Sequence, residues 1–181
     1  MFTTFCGEKW GILKIIAYFY RCKIPHKLYM STFIGKYEAK TDAKGRIFLP
    51  STYRKLLPEA ERERIVMQRD LENDCVIFYP EEVWNSRVND FKSRLDEWNP
   101  EDQFLLMQFV SDAEWLDIDA QGRVLLSKKH LQAMKVENNE VVFLGMIDRF
   151  SLWGKSRYEE VKMPQTNLAE LLREKMKKQA P

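Results

Sequence analysis

Cysteine is scarce in this chain. The three present, Cys6, Cys22 and Cys75, are odd in number and far apart, with no C-x-x-C pair and no Cys/His cluster. Neither a disulfide framework nor a zinc site is supported, and a reducing, cytoplasmic setting fits best. Histidine is scarcer still, with only His26 and His130, and a lone His130 is more simply a surface or partly packed residue than a catalytic base. Neither G-x-x-x-x-G-K-[ST] nor G-x-S-x-G occurs, so the phosphate-cradling loop and the nucleophile elbow are missing too. The sequence points away from an enzyme, and no cofactor, metal ion or small-molecule substrate is expected. Seven glycines and seven prolines in 181 residues do not make a linker-rich chain. A content of 45% hydrophobic and 13% aromatic residues is that of a folded domain.

Long apolar runs are missing as well. The most apolar stretch near the start, "GILKIIAYFYRC", is too short to span a bilayer and is interrupted by Lys14. The flanks are not those of a secretory signal. Residues 1–29 hold five bases (Lys9, Lys14, Arg21, Lys23, Lys27) against Glu8, so with a total of +2 the remainder carries −2. A membrane-surface helix, a docking element and a leader outside the functional protein are the readings of this segment. The third is preferred: 1–29 is expected to be an extension from an upstream start, outside the core fold, with Met30 opening a strand-first domain. A body this close to neutral binds nucleic acid only through a local patch or through many copies acting together.

What the chain does have is a repeat. "KTDAKGRIFLPSTYRKLL" at 40–57 and "LDIDAQGRVLLSKKHLQAM" at 116–134 share D-A-x-G-R, an apolar strand and a short helical stretch. Around them the pattern predicts strands at 32–42, 46–50, 64–70 and 75–80, with a helix over 52–64 capped by Ser51 or Thr52. The second copy returns after residue 113. Asp42 and Asp119 are 77 apart while Asp74 and Asp148 are 74 apart, a difference assigned to the "LPEAERER" loop. Between the copies, Trp84, Val88, Phe91 and Leu95 recur as one helical stripe. A second helix follows, with Asn99 as N-cap and Pro100 at its first position. These aromatics and leucines are expected to be core. The layout is then 30–80 first half, 81–112 helical insertion, 113–163 second half and 164–181 helical tail. The tail is capped by Thr166 and ends in lysines. Such an internal duplication predicts an α+β fold of two β-rich halves.

Within D-A-x-G-R, Asp42 and Asp119 can accept backbone N–H bonds of their own turn. Gly45 and Gly122 supply the positive φ that a bulged hairpin needs. Neither explains Arg46 or Arg123. One reading pairs each arginine with the aspartate four residues earlier, a surface ion pair contributing about 0–1 kcal/mol. The other puts the hairpins on DNA. The first copy then carries more of the phosphate attraction, since Lys36, Lys40, Lys44 and Arg46 stand against Glu38 and Asp42, a local +2. The second copy, with Asp117, Asp119 and Arg123, is locally −1. Arg46 is the candidate for guanine readout in the major groove.

The stretches "FIGKYEAKTDAKGRIFLPSTYRKLL", "IVMQRDLENDCVIFYPEEVW", "DIDAQGRVLLSKKHLQAM" and "VVFLGMIDRFSLWGKSRYEE" closely resemble the MraZ family of bacterial regulators of the division and cell-wall gene cluster. The resemblance runs from about Met30 to Val161 and implies a SpoVT-AbrB type fold. In that fold two halves, here both supplied by one chain, interlock into a pseudo-twofold swapped-hairpin barrel with added helices. It further implies ring-shaped homo-oligomers that bind short direct repeats of double-stranded DNA upstream of their own operon, associate with the nucleoid and repress transcription. Carried over by position, the DNA-binding set is Lys40, Lys44, Arg46, Gln121 and Arg123, and the loop-shaping set is Asp42, Gly45, Asp119 and Gly122. Gln121 stands where the first motif has Lys44, so the second copy lacks a cation. The alternative reading is a protein-interaction module of antitoxin-like or scaffold type on the same fold.

Overall fold

The computed structural model describes residues 32–58 and 63–177, so the expectation for residues 1–29 lies outside the described residues. The elements follow the order β1 (Lys36–Lys40), β2 (Arg46–Phe48), α1 (Ser51–Leu56), β3 (Arg64–Arg69), β4 (Cys75–Tyr79), α2 (Glu81–Lys92), α3 (Pro100–Ser111), β5 (Ala113–Asp117), β6 (Arg123–Leu125), α4 (Lys128–Ala133), β7 (Glu140–Gly145), β8 (Phe150–Gly154), α5 (Lys155–Val161) and α6 (Gln165–Lys177). The fold is α+β.

Six strands form one sheet in the order β1-β7-β8-β4-β3-β5, and β2 pairs with β6 as a separate two-stranded ribbon. Every pairing is antiparallel. Exchanging the two halves (β1 with β5, β2 with β6, β3 with β7, β4 with β8) reproduces the same order read backwards. Each half therefore completes its sheet with strands of the other. The hydrogen-bonded strands do not close into a barrel: β1 and β5 are the edges of an open sheet, and the ribbon lies over one face of it. The register also corrects the placing of the length difference between the copies. Lys36 pairs with Leu144 and its counterpart Ala113 with Gln68, so β3 and β7 are offset by 76. Met67–Phe78 answers to Phe143–Leu152, so β4 and β8 are offset by 74. One residue of the difference precedes β3, and two lie in the β3–β4 turn.

The sheet is apolar on both faces. Ile65, Met67, Val76, Phe78, Phe143 and Phe150 point to one side, where Ile47 and Val124 of the ribbon and Tyr53 of α1 complete the main core. Val66, Cys75, Ile77 and Tyr79 point to the other, under Trp84 of α2 and Phe109 of α3. All five residues of β4 are buried, as expected of a strand covered on both faces. Burying each such side chain contributes about 1.5–3 kcal/mol.

Several local expectations need correction. Helix α1 stops at Leu56 rather than continuing to residue 64. Leu57 is extended because it precedes Pro58, which disfavours the helical region. Pro50, not Ser51 or Thr52, holds the N-cap position of α1, without a side-chain cap bond. Thr166 stands inside α6 rather than capping it. Asn99 caps α3 as its sequence suggests, accepting from the Glu101 N–H at 2.9 Å, with Pro100 following. Trp84, Val88 and Phe91 of the stripe do face inward, with only Trp84 fully buried, but Leu95 lies beyond the helix, which ends at Lys92. No residue of α3 is buried, and Phe104, Leu105, Met107 and Val110 are exposed.

Candidate nucleic-acid interface

The ribbon pairs Arg46 with Leu125, Ile47 with Val124 and Phe48 with Arg123. Strand alternation sends Ile47 and Val124 into the core, so Arg46, Phe48, Arg123 and Leu125 share the outward face. A D-A-x-G-R turn leads into each strand of the ribbon, which sets the two turns at its opposite ends.

Both turns are built alike. In the first, Asp42 Oδ1 accepts from the backbone N–H groups of Lys44 and Arg46 at 2.8 and 2.9 Å, and Oδ2 accepts from Arg46 Nε at 2.6 Å. In the second, Asp119 Oδ1 accepts from the N–H groups of Gln121 and Arg123, both at 2.9 Å. Its Oδ2 takes Arg123 Nε at 2.8 Å and Nη2 at 2.7 Å. Gly45 and Gly122 have φ of +85° and +80°. They donate to the carbonyls of Asp42 and Asp119 at 2.9 and 2.7 Å. Each glycine carbonyl accepts from the opposite half, from Leu126 N–H at 2.9 Å and Leu49 N–H at 3.0 Å. The arginine–aspartate pair anticipated as the plain structural explanation is thus present twice, and it fixes where each guanidinium sits.

The two turns are not equal electrostatically. The Asp42 carboxyl is held below the usual carboxylate range chiefly by the Arg46 backbone N–H, that of Asp119 chiefly by the Arg123 guanidinium. Asp42 engages Arg46 through Nε, whereas Asp119 engages Arg123 through both Nε and Nη2. The Arg46 side chain is 37% exposed and that of Arg123 22%. Arg123 also lies over the Phe48 ring, 5.7 Å from its centroid.

Folding redistributes the local +2 read at the first hairpin without cancelling it, because Lys155 joins Glu38 at 2.9 Å and Glu140 at 3.7 Å, and Lys162 joins Glu159 at 3.6 Å. Lys40 pairs with Glu140 at 3.1 Å, and Lys36 with Glu159 at 3.2 Å and Glu38 at 3.4 Å. Two of those carboxylates come from the second half and its following helix, a juxtaposition invisible to local charge counting. Lys44 is exposed at the turn tip and makes no ion pair among the described residues. Gln121 is exposed at the equivalent tip.

Three residues of this surface were missed by the sequence reading. Phe48 and Leu125 stand outward on the ribbon, 57% and 56% exposed, and the alternation around Ile47 and Val124 is the signal that places them. Arg54 of α1 crosses to the second turn. Its Nη1 reaches the Gln121 carbonyl at 3.4 Å, and its Nε is shielded from solvent with no hydrogen-bond partner. Beside it an open cleft of about 550 Å³ is lined by Glu63, Asp117 and Asp119 as well as Arg54, which makes it a poor receptor for an anion. Among the described residues no group of three His, Cys, Asp or Glu side chains is placed to hold a metal ion, and no helix is long and apolar enough to cross a membrane.

Comparison with known proteins gives a consistent result. The model of the family described as "MraZ protein, putative antitoxin-like" matches residues 32–105 and 109–177. The chain is 41% identical over 131 residues to the transcriptional regulator MraZ of Bacteroides thetaiotaomicron, covering 72% of this chain and 83% of that protein. It is 42% identical over 123 residues to that of Phocaeicola vulgatus, covering 68% and 79%. It is 37% identical over 150 residues to that of Bacteroides fragilis, covering 83% and 94%.

Proposed function

The chain belongs to the MraZ family, and on that premise we propose that it is a sequence-specific DNA-binding transcriptional regulator that represses its own division and cell-wall operon. The observation that carries this reading is the ribbon with an anchored arginine at each of two diagonal corners. The major groove of B-DNA admits a two-stranded β-ribbon, and arginine is its most frequent specific reader, through guanine O6 and N7. Arg46, the more exposed of the pair, reads a base edge. Lys44 meets phosphate, Lys40 does so in competition with Glu140, and Arg123 and Gln121 make the weaker second contact. Asp42, Gly45, Asp119 and Gly122 hold the turns in shape. The palindromic strand order supports two interlocked halves, 30–80 and 113–163, of swapped-hairpin type, with 81–112 inserted between them and 164–181 as a helical tail.

A nearly neutral protomer presenting one small basic turn binds DNA weakly alone. Several protomers in a ring engage successive direct repeats, and avidity then exceeds single-site affinity by about 10²–10⁴. The exposed apolar residues of α3 supply a surface for that assembly. Such a protein works in the cytoplasm, on the nucleoid.

The test is binding of labelled duplex from immediately upstream of the chain's own gene, against a scrambled duplex, at two salt concentrations, for wild type, Arg46→Ala and Arg123→Ala. Sequence-dependent binding abolished by Arg46→Ala is expected. No binding at low salt sinks the DNA reading. The exposed leucine stripe of α6, Leu168, Leu171 and Leu172, favours a second reading, an antitoxin-like interaction module. Recovery of a small toxin-like partner together with absence of DNA binding would select it.

A further inference from the structure

We propose that Phe48 and Leu125 read the 5-methyl groups of thymine, making the ribbon a combined detector of guanine edges by arginine and thymine methyls by apolar side chains. The inference rests on the DNA-binding reading above and adds two specificity-determining residues to it.

The argument starts from what an exposed strand position ordinarily carries. With one face of the ribbon packed on the core through Ile47 and Val124, which are 0% and 1% exposed, the other face should be polar. Instead both halves place a large apolar side chain there, Phe48 in one and Leu125 in the other, each directly opposite the motif arginine of the other half. The outward face is a four-cornered pattern with arginines on one diagonal and apolar side chains on the other. Phe48 is further held by the Arg123 guanidinium over its ring, which fixes the ring without removing it from solvent.

That pattern has a counterpart in the major groove. Each thymine presents one apolar group there, its C5 methyl, and each guanine two acceptors suited to arginine. Residues two apart on a strand, such as Arg46 and Phe48, stand about 6.8 Å apart, and the strands are separated by about 4.8 Å. Those spacings match one to two base-pair steps of about 3.4 Å. A groove about 12 Å wide receives both strands with their outward side chains. A ribbon carrying only arginines would mark guanines. The added Phe48 and Leu125 discriminate the bases beside them.

The experiment removes the methyl and nothing else. Duplexes from upstream of the gene are made with single thymines replaced by deoxyuridine, and binding of the full chain is measured for wild type, Phe48→Ala, Phe48→Leu and Leu125→Ala. Assembly size is followed in parallel by sedimentation. In wild type, one or more thymine positions should lose about fourfold in affinity per methyl, the worth of one buried CH₂ group. Phe48→Ala should bind more weakly and no longer distinguish thymine from deoxyuridine at its position. Leu125→Ala should do the same at a different position, and Phe48→Leu should keep part of the discrimination.

Equal affinity of wild type for thymine and deoxyuridine throughout would overturn the proposal while leaving the DNA-binding reading standing. So would full discrimination retained by both alanine variants, or a loss of assembly in place of a loss of discrimination. If wild type does not prefer its own upstream duplex over a scrambled one, the underlying reading fails and the methyl readout fails with it.

Discussion

Arg54 lies against Gly122 just as Leu131 lies against Gly45. Arg54 and Leu131 occupy equivalent places 77 residues apart. A Cβ built on Gly122 would meet the Arg54 guanidinium, and one built on Gly45 would stand 3.5 Å from Leu131 Cδ1. Each turn is thus braced by the short helix of the opposite half, one brace apolar and the other charged. The second turn, which has Gln121 in place of Lys44, receives a cation from α1 instead.

The two glycines should therefore differ in their tolerance of alanine. Both have positive φ, so each substitution costs about 1–2 kcal/mol in backbone strain. At Gly122 the nearest obstacle is the end of the flexible Arg54 side chain, which can swing aside. At Gly45 it is the Leu126 carbonyl oxygen, 2.5 Å from the new methyl, and the backbone cannot yield without breaking the ribbon. Urea denaturation should show Gly45→Ala as the more destabilised variant. Equal losses would mean that the ribbon adjusts freely.

His130 provides a pH dependence. Its Nδ1 lies 2.8 Å from Ser127 Oγ and its Nε2 2.9 Å from Glu114 Oε1, an arrangement that suits a neutral ring with the proton on Nε2. Burial pushes its pKa below the usual 6.5, Glu114 opposes that shift and Lys129 adds to it. With the folded value depressed, the unfolded chain binds the proton first. The contribution of the neutral ring is then fully present above pH about 6.5 and is lost as pH falls through the folded value. An NMR titration of the ring should give a midpoint below that of a model histidine, and denaturation midpoints should fall on acidification from pH 6.5. A midpoint above 6.5 would mean that the Glu114 pair outweighs burial.

The duplication, the two strand pairs and the turn chemistry were legible in the sequence because they are local. Asp42, Gly45, Asp119 and Gly122 are needed by their own turns, and the spacing of residues reveals that. That the sheet stays open, where the family resemblance implied a barrel, was not legible. Whether edge strands such as β1 and β5 meet depends on twist and register, and those arise from packing across the whole sheet. The ion-pair partners of the first hairpin were not legible for the same reason, since Glu140 and Glu159 reach Lys40 and Lys36 only after folding. Arg54 stayed hidden because the same 77-residue offset that reveals the repeat pairs it with a leucine, and nothing local says which half it serves.

Trp84 ties the helical insertion to the sheet. It stacks on Phe109 at 5.7 Å with 5° between the ring planes, and packs against Tyr79 at 5.5 Å. Trp84→Ala should cost about 3–5 kcal/mol and should raise hydrogen exchange throughout α3, whose further anchors are Phe91 on the Phe109 ring at 4.6 Å and the bond from Gln68 Nε2 to the Phe109 carbonyl at 2.9 Å. Unchanged protection of α3 would show that Gln68 and Phe91 suffice.

The outer face of α3 allows the proposed assembly to be tested. Phe104, Leu105 and Met107 are each more than half exposed, and Trp98, just before the helix, is 90% exposed. Large exposed apolar patches on folded proteins often serve as interaction sites, which makes these side chains the ones to test. If protomers assemble through it, Leu105→Glu should reduce the mass seen by sedimentation. The fold of each protomer should be nearly unaffected, because a surface substitution ordinarily changes stability by within about 0.5 kcal/mol. The same variant should bind a duplex with a single repeat almost as well as wild type, yet lose the avidity of about 10²–10⁴ on a duplex with several. An assembly of unchanged mass would place the contact elsewhere. A loss of single-repeat affinity would place α3 at the DNA rather than between protomers.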